Sequence, residues 1–479
     1  MDLKPVIIAA AAAFPIAFSM QAQNSLTIAR DSLTLDDCLT IAMTNSPTVK
    51  VADMEVSRMD YSRKEVIGQL LPNVDFGASY SRTLAKQTMY MNMDFGGFGG
   101  SGDSGEGGDS GIPETQSDSK KDNGIKMGLD NSYSLGFQAS MPIIAPQLWQ
   151  SLSISKEQVI RNLEAAKQSR QQLVNQVKSA YYALLLANDS RRVIQESYDM
   201  AALTHDTYVK QQKLGAASDY DVLRTSVAMK NIEPQITQAE IAIKRARLNL
   251  LILMGLDAEY DLKVAGKLAD YQEGMYGAAL QACNTDYSGN ADLKLLDIDT
   301  NLTARNLKIQ KLAYSPTLAL TANYNWTSMS NGSPFKNFRW NPYSTIGLSL
   351  SVPIFSGGQR YHKVKQTKLQ LEELRLQREN LERNIASQVN LAVDNIKMNV
   401  EQISSSAESV RQAETAHDIM EKSFRIGAAS YLNLRDSELA LTQSRLSYFQ
   451  AIYNFLIAQS ELELLQGTAP VEKYSSANN

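Results

Sequence analysis

Hydrophobic positions along the 479-residue chain change period several times, and the changes repeat. From Leu33 to about residue 68 apolar residues recur at steps of three and four, the mark of an amphipathic helix. Asn45-Ser46-Pro47 interrupts them, since proline is tolerated at the start of a helix but not within it. The period then drops to two. Val74, Phe76, Ala78 and Tyr80 alternate with Asn73, Asp75, Gly77 and Ser79; Tyr133, Leu135, Phe137, Ala139 and Met141 alternate with Ser134, Gly136, Gln138 and Ser140. The spacing predicts strands at about 72–82 and 132–142, each with one apolar face and one small, polar face. A helical period resumes at Pro146 and persists to Leu214, roughly 100 Å of helix at 1.5 Å per residue. Its seam includes Leu163, Leu173, Val177, Leu184, Ile194 and Tyr208, and a spacing near 3.5 predicts coiled-coil packing.

The order then recurs. A helical segment near 278–312 is followed by strands at about 316–326 and 343–353, and by a long helical pattern with Ile385, Val389, Ala392, Ile396 and Ile403 on its seam. Leu214-Gly215-Ala216-Ala217-Ser218 and Ile426-Gly427-Ala428-Ala429-Ser430 each open a return helix, ending at Gly255 and Gly467. The two blocks lie 212 residues apart at both ends, and eleven of their forty-two aligned positions are identical. This is the signature of an internal duplication. The copies differ at Pro234, whose partner is Leu446, so a kink or unwinding is expected at 230–234.

The expected organisation is a first repeat over 23–255 with its helical hairpin at 146–255, a linker at 256–277, a second repeat over 278–467 with its hairpin at 358–467, and a C-terminal tail at 468–479. Residues 1–22 read as a signal peptide: Lys4 precedes an apolar run from Val6 to Phe18 that is too short to span a bilayer. Residues 94–124, rich in glycine, serine and acids, cannot bury a core and read as a disordered surface loop. The loop Thr327–Asn341 carries Phe335, Phe338 and Trp340, suited to a membrane interface.

Strands of 9–11 residues with opposed faces fit a membrane-spanning barrel, and no later segment offers a spanning apolar helix. Four strands cannot close a barrel, and open edges are not tolerated in lipid. Oligomerisation follows from the strand count: eight strands from a dimer or twelve from a trimer, a polar-lined passage favouring the larger.

Composition narrows the function. A net charge of −4 argues against nucleic-acid binding, which needs a basic face. Two cysteines and three histidines leave little for a metal, cofactor or redox site. The sequence has no phosphate-binding loop, nucleophile elbow or metalloprotease motif, so no enzyme is expected. Cys38 and Cys283 could bond in an oxidising compartment, but nothing in the sequence brings them together.

Pro353-Ile-Phe-Ser-Gly-Gly-Gln-Arg360 closing a strand, Arg425-Ile-Gly-Ala-Ala-Ser430 at a helical turn, and the duplicated strand–strand–long-helix order resemble the TolC-like outer-membrane efflux factors, over about Leu33 to Gly467. The resemblance implies an α+β membrane protein. Its trimer would build a 12-stranded barrel in the outer membrane that continues into a long α-helical coiled-coil tunnel in the periplasm. It implies the exit duct of a tripartite efflux or type I secretion system, with a periplasmic adaptor (membrane fusion) protein and an inner-membrane RND or ABC-type transporter as partners. It implies adaptor docking at Leu214-Gly215-Ala216 and Ile426-Gly427-Ala428, where glycine permits a tight turn and small neighbours allow close approach. Asp221 matches an acid six residues past the first tip glycine and reads as a helix cap. Its counterpart is Asn433, and Asp436 matches a gate acid; three copies would form an anionic ring. Asn433, with no basic residue at Ala429, departs from the family's charge-braced closure. His205 and His417, equivalent in the duplication, read as packing residues or as a pH-responsive ring. A secreted or surface coiled-coil scaffold without a pore is the alternative; it has no need of spanning-length strands.

Overall fold

The computed structural model describes residues 32–89, 125–272, 285–333 and 339–475. Residues 1–22, the 94–124 loop, Cys283, Phe335 and Phe338 lie outside them.

Helix α1 (Leu35–Asn45) begins at a reciprocal cap, in which Thr34 Oγ1 accepts from the Asp37 N–H and the Asp37 carboxylate accepts from the Thr34 N–H. Helix α2 (Pro47–Gly68) starts with its proline in the first turn, where no donor is lost. Strand β1 (Asn73–Arg82) follows, then a three-residue pair β2 (Gln87–Met89) and β3 (Ile125–Met127), then β4 (Asn131–Ile144). Helix α3 runs unbroken over Pro146–Lys213, 68 residues. The chain returns through α4 (Asp219–Lys230) and α5 (Glu233–Met254). After the linker come α6 (Ala291–Leu312), β5 (Thr317–Ser330), β6 (Asn341–Ser351), α7 (Gln359–Arg425), α8 (Tyr431–Gln466) and a short α9 (Val471–Ser475).

The antiparallel sheet has the order β1-β4-β5-β6. Its register sorts side chains by row. Val74, Ala139, Ala322 and Ile346 align across the four strands, and the Phe76, Phe137 and Tyr324 row lies beside them. The intervening row is Asp75, Gln138, Asn323 and Thr345. Alternation therefore gives the sheet one mainly apolar and one mainly polar face, interrupted on β6 by Ser344 beside Tyr324 and Tyr343 beside Asn325. Phe76 and Phe137 rings stand 5.0 Å apart and Tyr324 meets Trp326 edge-on at 4.5 Å. Both outer strands are exposed along their full length, and the outer edges of β1 and β6 have no neighbour among the described residues.

The core lies along the middle of α3. Leu173, Val177, Tyr181, Leu184 and Leu185 meet Cys38 and Leu39 of α1, Leu250, Leu251 and Met254 of α5, and Ile452 and Phe455 of α8. The apolar stripe of α3 is too weak for so long a helix to hold alone, so packing on its neighbouring helices holds it. Ion pairs extend the same contacts: Lys178 with Glu463, Arg161 with Asp299, and Arg445 of α8 with both Glu196 of α3 and Glu414 of α7.

Two glycines anchor the hairpins at this level. Gly255 and Gly467 both end their helices in the left-handed region, φ 68° and 69°. A Cβ at Gly255 would stand 2.7 Å from the Asn45 carbonyl, and one at Gly467 2.1 Å from that of Gly289. Each return helix thus closes on the backbone leading into α2 or α6, and only glycine fits.

The linker is less plain than its composition. Leu33 and Val264 form a parallel bridge, and the Leu268 N–H donates to Asp189, an acid 4% exposed that also pairs with Arg192.

Three features go beyond the sequence reading. The 468–479 segment is not simply a tail: α9 buries Val471 and Tyr474 in the core, and Tyr474 and Lys473 bond Asp36 of α1. The loop expected at Thr327–Asn341 is shorter, because β5 continues to Ser330, where Asn131 bonds its carbonyl. The β2–β3 pair, too short for a period to register, was not expected. Cys38, whose pairing the sequence leaves open, is a free, buried thiol, its pKa pushed up to about 12 by burial, with Asp37 adding to the shift.

Candidate functional site: the two helical tips

Both tips end their outgoing helices in the same way. At the first, Gly215 (φ 73°) donates its N–H to the Gln212 carbonyl and Ala216 donates to Gln211. At the second, Gly427 (φ 76°) donates to Phe424 and Ala428 to Ser423. This is a Schellman closure in each case: it uses up carbonyls that the last turn would otherwise leave unpaired, and it needs a left-handed residue at the glycine. A Cβ at either glycine would meet nothing within 4 Å. The requirement is conformational, and the space around each tip is open. Leu214 and Ile426 project there, 83% and 81% exposed.

The return helices start differently. Ser218 caps α4 by accepting from the Asp221 N–H, while the Asp221 carboxylate accepts from the Ser218 N–H and hydroxyl. That hydroxyl bond holds the Asp221 carboxyl below the usual carboxylate range, and the Arg224 guanidinium acts in the same direction. At the second tip Ser430 accepts from the Asn433 N–H, and no reciprocal side-chain bond is made. Asp436 is exposed. Its counterpart in the 212-residue frame is Arg224, whose guanidinium lies over the Tyr431 ring at 4.5 Å. Tyr431 in turn meets Tyr208 edge-on at 5.8 Å, and Tyr208 lies 6.1 Å from Phe424. This cluster ties the first hairpin to the second just behind the tips. The sequence reading placed Tyr208 on a seam but missed Arg224, Phe424 and Tyr431 as its partners, because cross-hairpin pairing leaves no trace in local periodicity.

The histidines occupy matching positions. His205 Nδ1 lies 3.0 Å from Thr225 Oγ1, and His417 Nδ1 lies 3.4 Å from Ser437 Oγ. Both hydroxyls donate to carbonyls of their own helix, so each accepts from the imidazole and fixes Nδ1 as the protonated nitrogen. Each pair links the outgoing and return helices of one hairpin. No group of three or more His, Cys, Asp or Glu that could hold a metal occurs among the described residues.

One buried acid went unnoticed in the sequence. Glu438, on α8, is 9% exposed; burial pushes its carboxyl up to about 7, Glu421 adding to the shift and Arg435 opposing it.

The profile of the outer membrane efflux protein family matches residues 39–256 and 288–468. The chain belongs to that family. As an outer membrane efflux protein it sits in the outer membrane of a Gram-negative bacterium and takes part in transport across it. It is 21% identical to outer membrane protein TolC of Escherichia coli over 378 residues, which is 77% of this chain and 76% of that one. It is 22% identical over 354 residues to the alkaline protease secretion protein AprF of Pseudomonas aeruginosa, covering 74% and 72% of the two chains. Among solved structures, the CmeC outer membrane channel of Campylobacter jejuni superposes with a TM-score of 0.69 at 16% identity, covering 92% of this chain and 89% of that one. The outer membrane protein VceC of Vibrio cholerae gives 0.65 at 13% identity, covering 90% and 96%. The fold of this outer membrane efflux protein is therefore that of the channels, a helical part carrying a sheet. Among the described residues no helix is long and apolar enough to cross a membrane.

Proposed function

We propose that three copies of this chain assemble into the exit duct of a tripartite efflux or type I secretion system. Each contributes four strands to a 12-stranded barrel, and the helical hairpins of all three form the periplasmic tunnel. The observation that carries the reading is the sheet. It has one mainly apolar and one mainly polar face, and its two outer strands, β1 and β6, offer backbone edges unpaired among the described residues. In lipid such edges must be paired, and a neighbouring copy presents a β6 edge to each β1. The matching lengths of α2 and α6, 22 residues each and 244 apart in sequence, support the duplication as the plan of the helical part.

The Leu214-Gly215-Ala216 and Ile426-Gly427-Ala428 tips are the docking surfaces for a periplasmic adaptor, which links the duct to an inner-membrane RND or ABC-type transporter. Their open surroundings and exposed Leu214 and Ile426 suit apolar contact with a partner hairpin. Asn433 and Asp436 on the second tip form the periplasmic gate, where three Asp436 carboxylates would favour cations. The duct performs no chemistry: the work comes from the pump that engages it. A pore-free scaffold leaves the two-faced sheet without a purpose. The test is reconstitution into planar bilayers. The duct reading predicts discrete cation-preferring conductance, with the preference reduced in Asp436→Asn. A protein that washes off outer membranes at high pH and conducts nothing would refute it.

A further inference from the structure

Behind the tips, α3, α7 and α8 enclose a pocket of about 250 Å³ between the two hairpins. Each wall carries an apolar side chain, Met200 and Leu203 from α3, Phe424 from α7 and Leu434 from α8, set among polar ones such as Thr204 and Gln211. Glu438 forms part of the lining, eleven residues beyond Gly427. The other charged groups in contact with the pocket are accounted for. Glu421 pairs with Arg425 one turn along α7, and His417 is engaged with Ser437. From α3 the lining is uncharged. Arg435 lies one turn from Glu438 on its own helix and is not part of the lining. The Glu438 carboxyl has no hydrogen-bond or ion-pair partner among the described residues, although it is nine-tenths buried. A buried carboxyl without a partner costs stability, and the cost is removed by protonation or by a cation.

We infer that this pocket binds a small organic monocation, an ammonium group on a compact apolar body, with its charge on Glu438 and its body against Met200, Leu203, Phe424 and Leu434. The charge count sets the class. One carboxylate is free, Glu421 being neutralised by Arg425, so one positive charge is matched and a second would be left unpaired. The volume admits a ring of benzyl size with its amine. Because the pocket's walls come from both hairpins, an occupant joins them, and binding favours the arrangement in which they stay together. The bound cation needs Glu438 ionised, so acidification opposes binding.

The experiment is calorimetric titration of the purified full-length protein, in uncharged detergent, with benzylammonium chloride. At pH 8 one saturable site per chain is expected, with binding weakened about tenfold at pH 6, where protons compete for Glu438. Benzyl alcohol, the neutral counterpart, gives no saturable heat. Glu438→Gln lowers affinity at least about tenfold, since the cation then meets a neutral amide in place of a carboxylate. Asp418→Asn, an exposed acid of α7 paired with Lys422, leaves it unchanged. Leu203→Trp fills the pocket from its exposed rim while keeping Glu438, and also abolishes binding; it serves where Glu438→Gln fails to fold. The inference is overturned by equal binding in Glu438→Gln or Leu203→Trp, by equal binding of benzyl alcohol, or by no saturable binding to the unaltered protein.

Discussion

The two helical hairpins share a turn and a matching histidine and differ along the return path. In the first, the return path is broken at Asn231-Ile232 into α4 and α5, with Pro234 in the first turn after the break; in the second, α8 runs 36 residues without interruption. At the first tip the polar residues are engaged: Asp221 closes a reciprocal cap and Arg224 covers Tyr431. At the second, Asn433 makes only the backbone half of the cap, Asp436 is exposed, and Glu438 is buried without a partner. At positions 212 residues apart, Asp221 and Arg224 are spent on holding structure, whereas Asp436 makes no ion pair among the described residues and Glu438 is buried away from one. Residues spent on structure resist movement, and those left over are available to a gate, an ion or a ligand. This asymmetry supports the proposal that the gate lies on the second hairpin.

The comparison can be broken by exchanging residues across it. The largest effect is expected from proline. Leu446→Pro puts the first hairpin's proline into the interior of α8, beside the core, and should cost about 3 kcal/mol or more. Pro234→Leu, at a break that already exists, should change stability by less than about 1 kcal/mol. Thermal melting of both variants reads the difference, and equal losses would mean that the break is not inherent to the first hairpin. Next comes the joint between the hairpins. Tyr431→Ala removes the buried ring that meets both Tyr208 and Arg224, and about 2–3 kcal/mol should be lost. Tyr220→Ala, 68% exposed, should cost under about 0.5 kcal/mol.

A third effect depends on pH. Glu438 has its folded pKa raised to about 7, above its unfolded value. Between the two values the folded state holds the proton that the unfolded state has released. Stability from this group is thus complete below the unfolded pKa and is lost as pH rises through about 7. Glu438→Gln should stabilise the protein by roughly 2 kcal/mol at pH 8 and by little at pH 4. Hydrogen exchange or melting at the two pH values measures this, and a gain that does not vary with pH would exclude burial of the charge as its cause. The smallest effect concerns the caps. Ser218→Ala should cost about 1 kcal/mol and Ser430→Ala less, because the first loses a two-way cap and the second a one-way one. Equal costs would show that Asp221 contributes nothing to bracing its tip.

Much of this plan was written in local periodicity. The alternation at Val74–Tyr80 and Tyr133–Met141 reads out β1 and β4 because a two-faced strand has no other way to place its residues. The break near Pro234 follows from proline's missing donor. Gly215 and Gly427 mark their turns because no other residue sits easily at φ near 75°. What could not be read is what depends on residues distant in sequence. Arg224 over Tyr431, the docking of Tyr474 on Asp36, and the unpartnered burial of Glu438 arise from how helices are laid together, and a single strip of sequence does not record that. Glu438 looks from its neighbours like any solvated helical acid. The packing of α3 and α7 against α8 makes it a buried one.

The central claim is that the open sheet is completed by two further copies of the chain. Native mass spectrometry of the protein extracted from outer membranes in mild detergent tests it most directly. The account predicts a complex of three chain masses that persists when tip variants such as Gly215→Ala are made. A monomer, or a dimer with its eight strands closed, would contradict it.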